Sequence, residues 1–118
     1  MILIDVPFDK KMFHTTNRFQ NYHKYKKHSI KHEYLWWIKT IKINKPEDID
    51  YPVKLHFLFT FGKGNRVYDS SNCAAMGKMI EDCLVTKGIL EDDRAKFVES
   101  VTYESKRGPS NHLTVSIL

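Results

Sequence analysis

Val53-Lys-Leu-His-Phe-Leu-Phe-Thr-Phe61 alternates along its whole length. Val53, Leu55, Phe57, Phe59 and Phe61 are separated by Lys54, His56, Leu58 and Thr60. A period of two with aromatic and β-branched residues is the pattern of a strand with one face in a core. His56 falls on the other face and is expected to be a surface strand residue. Gly62-Lys-Gly-Asn-Arg66 then turns the chain. Its glycines are too few and wrongly spaced for a phosphate-cradling P-loop, which excludes nucleotide binding of that kind.

Downstream, Ser70 or Ser71 is placed to cap a helix whose apolar stripe is Cys73, Met76, Ile80 and Leu84, with Gly88 at the stop position. Residues 95–104 and 112–118 read as two further strands, with Arg107-Gly-Pro-Ser110 as the turn between them. Upstream, Asn44 to Pro52 is a polar turn region. Before it, Ile30, Tyr34, Trp37, Ile38 and Ile41 recur at helical spacing behind Ser29 as cap, and the Trp36-Trp37 pair is expected in the core. Residues 14–28 show no clean period. They interleave Phe19, Tyr22 and Tyr25 with bases and histidines, and read as an exposed loop of the kind that carries function. Met1 to Val6 reads as a first strand closed by Pro7. The order strand, helix, strand, helix, strand, strand indicates α+β: one domain over residues 1–118, a mixed sheet covered by two main helices.

The chain has 118 residues and a 42% hydrophobic fraction, enough for a real if modest core. No apolar run approaches the ~18 residues of a membrane span. The start, Met1-Ile-Leu-Ile-Asp-Val-Pro7, lacks the basic flank of a signal peptide, so the expected location is the cytoplasm. The only cysteines, Cys73 and Cys83, are ten residues apart on one expected helix. That places them ~15 Å from each other, too far for a disulfide. Neither has a partner at zinc-finger spacing, and both read as small core hydrophobes.

Charge is distributed unevenly. Lys10 to Lys45 holds ten of the 19 Lys and Arg residues but one of the 14 acids, Glu33. A third of the chain thus carries +9 and the remainder −4, for a net charge of +5. Such asymmetry points to a polyanionic partner for the basic third; a merely solvated charged face is the alternative.

The acids frame the second helix. Asp69 precedes it, Asp92 and Asp93 follow it, and Ser71, Ala75, Lys78 and Asp82 share one of its faces at 3–4 spacing. Asp69 and Asp93 meet only if the chain folds back. Carboxylates hold Mg²⁺, a hard ion that prefers oxygen ligands. A Mg²⁺ ion polarises a phosphate, and a nearby Lys neutralises the charge that builds on it. The same residues also have ordinary uses. A helix-start Asp can complement the macrodipole, and Lys78–Asp82 can be a simple i,i+4 pair.

In these residues the chain resembles the RusA family of Holliday junction resolvases. The family's core pattern runs D-x-D-N, K-x-x-x-D-x-L, a glycine-containing turn, and D-D. Here it reads Asp69-Ser-Ser-Asn72, Lys78-Met-Ile-Glu-Asp82-Cys-Leu84, Gly88 and Asp92-Asp93. Asn17-Arg18-Phe19 is similar to the family's N-R-aromatic segment. Two departures stand out: Ser71 replaces the second Asp, and three extra residues separate Asn72 from Lys78.

The resemblance implies a homodimeric, Mg²⁺-dependent endonuclease, with Mn²⁺ as a substitute ion, that nicks paired strands of a four-way DNA junction. A phage or prophage origin in a bacterial host would be in keeping. Asp69 and Asp93 would be metal ligands and Lys78 the catalytic lysine. Asn72, Ser71 and Asp92 would support the site, with Asp92 a further ligand. Asp82, one turn from Lys78, would supply the carboxylate that Ser71 lacks. Asn17, Arg18, Lys24, Lys26, Lys27 and Lys31 would bind the DNA. The runner-up, favoured by Ser71, is a non-catalytic protein that binds branched DNA on the same fold.

Overall fold

In a computed structural model, which describes Met1 to Leu118, the alternating segment forms strand β2 (Val53–Phe61) of a four-stranded sheet. The other strands are β1 (Ile2–Pro7), β3 (Val98–Arg107) and β4 (His112–Ile117). Their order is β1-β4-β2-β3. β2 runs parallel to β3 and antiparallel to β4, and β1 is antiparallel to β4, so the sheet is mixed. Val53, Leu55, Phe57, Phe59 and Phe61 are all buried, as their alternation requires. His56 lies on the opposite face, 2.9 Å from Glu104 of β3. Fully burying an aromatic such as Phe57 or Phe59 contributes about 1.5–3 kcal/mol, so this one strand anchors the core.

Three helices join the strands: α1 (Thr16–Gln20), α2 (Lys24–Thr40) and α3 (Ala74–Thr86), the last entered through a 3-10 turn at Ser70–Cys73. The stripe Cys73, Met76, Ile80 and Leu84 is wholly buried. α3 ends as its glycine suggests. Gly88 takes φ +75°, its N–H donates to the Val85 carbonyl, and the Ile89 N–H donates to that of Leu84. Both bonds together make a Schellman stop, which reverses the chain. Ile30, Tyr34 and Ile38 of α2 join the same core as α3 and the inner sheet face. Both cysteines are buried and free. No helix is long and apolar enough to cross a membrane.

The structure corrects four expectations. Residues 14–28 are not a loop, because they hold α1 and the first turn of α2. Thr15 caps α1 by accepting from the Arg18 N–H, and His23, not Ser29, caps α2 by accepting from that of Tyr25. The first buried residue of α2 is Ile30. Its opening turn faces solvent and therefore carries no apolar period. Trp36 is 67% exposed instead of packed in the core, whereas Trp37 is half-buried beside Tyr34. β3 begins at Val98, because the Arg94 carbonyl accepts from the N–H groups of Phe97 and Val98 and closes a turn over 94–97. Although one turn joins them, β3 and β4 are not neighbours in the sheet. They flank β2, and the segment 107–111 arches over the end of that strand.

Candidate active site

Lys78 is the one exposed position in a run of buried residues from Met76 to Glu81. The Schellman stop and the buried Leu90 return the chain so that Asp93 lies against it. The Lys78 Nζ is 2.5 Å from Asp93 Oδ2, 3.1 Å from Asp82 Oδ1 and 3.4 Å from Glu81 Oε1. One ammonium thus meets three carboxylates, two from its own helix and one from the loop that follows. Burial works to lower the Lys78 pKa, but hydrogen bonds to Asp93 and Asp82 hold it above the ordinary lysine value, so the amine stays charged. The hydrogen bond from Lys78 likewise holds the Asp93 carboxyl below its ordinary range.

Asp92 supports this arrangement from outside it. One of its oxygens accepts from the Asp93 N–H at 2.7 Å, and the other accepts from Arg94 Nε at 2.7 Å. These bonds fix the turn that presents Asp93 and leave Asp92 directed at Arg94.

Two residues of the site carry no role on sequence grounds. Glu81 is 4% exposed, and its Oε2 is buried without a hydrogen-bond partner. Burial raises its pKa, against the pull of Lys78. Tyr103 of β3 packs on α3, and its ring occupies the space that a side chain at position 77 would need. Burial, and then the negative charge of Glu81, push the Tyr103 phenol up to about 12. A glycine inside a helix often marks such a close approach, so Gly77 is the sequence signal for Tyr103. Glu81 has a fainter one, an acid next to the buried stripe residue Ile80.

The other expected residues lie at the start of α3. Asp69 is exposed and makes no capping hydrogen bond with its side chain. Its carbonyl accepts from the Asn72 N–H. No hydrogen bond or ion pair joins it to Lys78 or Asp93. Ser71 is exposed, and its carbonyl accepts from Thr16 Oγ1 at 2.9 Å. Thr16 Oγ1 also accepts from the Ala75 N–H, so α1 is fastened to the start of α3. The structure therefore brings Lys78, Asp82 and Asp93 together, with Asp92 behind them, and leaves Asp69, Ser71 and Asn72 outside those contacts.

The donors suit a hard divalent cation in kind, being carboxylates with one unpartnered buried oxygen. Lys78 stands between them, and no three His, Cys, Asp or Glu side chains are closed into a cage.

The basic residues form a separate surface on α1 and α2. Lys26 Nζ lies 3.9 Å from the centre of the Tyr22 ring, and Lys27 lies over Phe19. Arg18, Lys24, Lys26, Lys27 and Lys31 form no ion pair with any carboxylate. A cavity of about 270 Å³ gathers Lys10, Lys11, Arg18 and Arg66 above Phe13 and Tyr68, with no acid in its lining. In the sequence, Lys10 and Lys11 stand out only as charge, and Arg66 only as part of a turn. The Thr16 contacts connect this cationic ground to the helix that carries Lys78.

No family model matches the chain, and no curated protein and no solved structure matches it.

Proposed function

We propose that this chain is a Mg²⁺-dependent endonuclease of branched DNA, similar to the RusA resolvases in site and in activity. The observation that carries the reading is the contact of Lys78 with Asp93 at 2.5 Å, across fifteen residues of sequence, with Asp82 at 3.1 Å. All three are site candidates on sequence grounds alone. Phosphodiester cleavage explains why a chain would expose one lysine among carboxylates beside a cationic surface.

Asp82 and Asp93 would hold the metal, with Glu81 supplying its unpartnered Oε2. Bound there, Mg²⁺ would supply Lewis-acid polarisation of the scissile phosphate. Lys78 keeps its proton and places a positive charge where negative charge builds on the phosphate oxygens. Asp93 stays ionised through its hydrogen bond with Lys78. Asp92 and Arg94 keep the turn in place while the phosphate enters. Arg18, Lys24, Lys26, Lys27 and Lys31 would bind backbone phosphates, assisted by Asn17 and by the cavity of Lys10, Lys11 and Arg66. Few of these residues are suited to reading bases, so recognition would be of branched shape. A homodimer would set two such sites against two symmetric strands.

A second reading is a binder of branched DNA without cleavage. It is favoured by Ser71 in place of an acid and by the absence of Asp69 from the contacts of Lys78.

The test is incubation of the wild type with a synthetic four-way junction and with linear duplex, in Mg²⁺, in Mn²⁺ and in chelator. The nuclease reading expects metal-dependent nicks in the junction and little cutting of the duplex. Tight junction binding with no nick in either metal would establish the binder instead.

A further inference from the structure

The cavity of about 270 Å³ lies at the end of β2, between the turn at Lys10–Met12 and the one at 62–66. Lys10, Lys11, Arg18 and Arg66 line it, and no carboxylate does. Asp9, next to Lys10 in the chain, is outside the lining and accepts from the Lys11 N–H. Neutral groups hold the two guanidiniums in place. Arg18 donates to the Phe13 carbonyl at 3.3 Å, and Arg66 lies 5.1 Å from the centre of the Tyr68 ring. Neither contact neutralises a charge, and Lys10 and Lys11 have no acidic partner either. Cations gathered without a counterion repel one another, so a bound anion would stabilise them.

The rest of the lining has another character. Phe13 and Phe61 pack edge to face with centroids 5.1 Å apart, and Tyr68 stacks on Phe13 at the same separation. Both phenylalanines are buried, and the half-buried Tyr68 is the ring left partly open. Asn111 engages its Oδ1 with the Gly62 N–H at 2.8 Å, which leaves its NH2 group as a donor, and Asn65 adds a second amide. A bare inorganic anion would use the cations alone. A nucleotide would use all three parts: the aromatic wall for its base, the amides for the base edge and the guanidiniums for its phosphate.

The charges also select the kind of phosphate. A backbone phosphodiester carries a single negative charge, whereas a phosphomonoester carries about −1.5 to −2 near neutral pH. Four cations without an acid exceed what one diester neutralises. We propose that this cavity binds one unpaired nucleotide that bears a terminal phosphate, either free or at the end of a DNA strand. Arg18, Arg66, Lys10 and Lys11 hold the phosphate, and the base rests against Tyr68. The inference rests on the reading of the basic surface as a nucleic-acid site and is independent of cleavage at Lys78.

Calorimetric titration of the full-length protein with thymidine 5′-monophosphate, thymidine, inorganic phosphate and O-phosphoserine tests it. The monophosphate should bind once per chain, at least about tenfold more tightly than any of the other three. Fluorescence anisotropy with a short single strand phosphorylated at its 5′ end, at its 3′ end or at neither distinguishes the sources. A preference for one phosphorylated end assigns the site to strand ends, and equal strands beside a bound monophosphate assign it to the free nucleotide. Arg66→Gln and Lys11→Gln, both at exposed positions, should each weaken the monophosphate by about fivefold to tenfold. Lys87→Gln, at the exposed end of α3, should leave it unchanged. No saturable binding of the monophosphate would overturn the proposal. So would equal affinity for inorganic phosphate or O-phosphoserine, or binding that survives both substitutions intact. Junction binding on the same samples separates the two readings: a chain that binds the junction but not the nucleotide loses this inference alone.

Discussion

At Lys78 a single ammonium sets the protonation of its neighbours, and its removal should be visible in them. Asp93 is held low and Glu81 is raised by burial, yet Lys78 pulls both pKa values down. Lys78→Met is therefore expected to move both carboxyl midpoints upward, as carbon-13 titration of the side-chain carboxyls would show; an unmoved Asp93 would contradict the contact. The linkage signs differ between the two acids. Asp93 contributes stability that is present above the ordinary aspartate value and is lost as pH falls through its lowered one. Glu81 contributes stability that is present below the ordinary glutamate value of 4.5 and is lost as pH rises through its raised one. Glu81→Gln removes that titration. The variant should gain on the wild type as pH rises from about 4 towards neutrality, measured as urea midpoints across pH; a flat difference would refute the burial argument. Lys78, Asp82 and Asp93 are legible in the sequence because helical spacing and a tandem acid are local patterns. Glu81 is only faintly so, as an acid beside the stripe residue Ile80, since its burial depends on packing by distant residues, Tyr103 among them.

β2 and the arch over its end form the element on which the sheet order depends. Gly62 lies so close to the returning chain that a Cβ there would stand 2.8 Å from the Ser110 backbone, and a Cβ on Gly108 would overlap the Thr60 side chain. The Gly62 N–H donates to Asn111 Oδ1 at 2.8 Å, and Arg107 donates to the Gly62 carbonyl. Gly62→Ala should destabilise the fold by about 1–3 kcal/mol, read as a lower urea midpoint at an unchanged slope. Wild-type stability in that variant would mean the arch is looser than these distances imply. The period-two strands and the stripe of α3 are readable because each buries one regular face. The start of α2 is not, because its first turn buries nothing. The placement of β3 and β4 on either side of β2 is a long-range outcome that the Arg107–Ser110 turn alone does not reveal.

Over the whole molecule, charge is divided between a cationic surface on α1 and α2 and the carboxylates around Lys78. The +9 of residues 10–45 is evident in the sequence, but the gathering of Lys10, Lys11 and Arg18 with Arg66 into one cavity is not, because β2 lies between them in the chain. A surface of unpaired lysines that binds nucleic acid releases counterions, so junction affinity should fall steeply with salt. Replacing Lys24, Lys26 and Lys27 by Gln should flatten the logarithmic salt slope by about 0.9 for each phosphate that is no longer neutralised, as fluorescence anisotropy would report. An unchanged slope would remove this face from the interface. The nuclease reading rests on the contact between Lys78 and Asp93 as the mark of a phosphodiester-cleaving site. Its most direct test is cleavage of a labelled four-way junction in Mg²⁺ by the wild type, Lys78→Met and Asp93→Asn, with junction binding measured in parallel. The wild type should nick the junction, and each variant should bind it but cut at least about a hundredfold more slowly, as for loss of a group that stabilises the transition state. Cutting by both variants at the wild-type rate would overturn the reading.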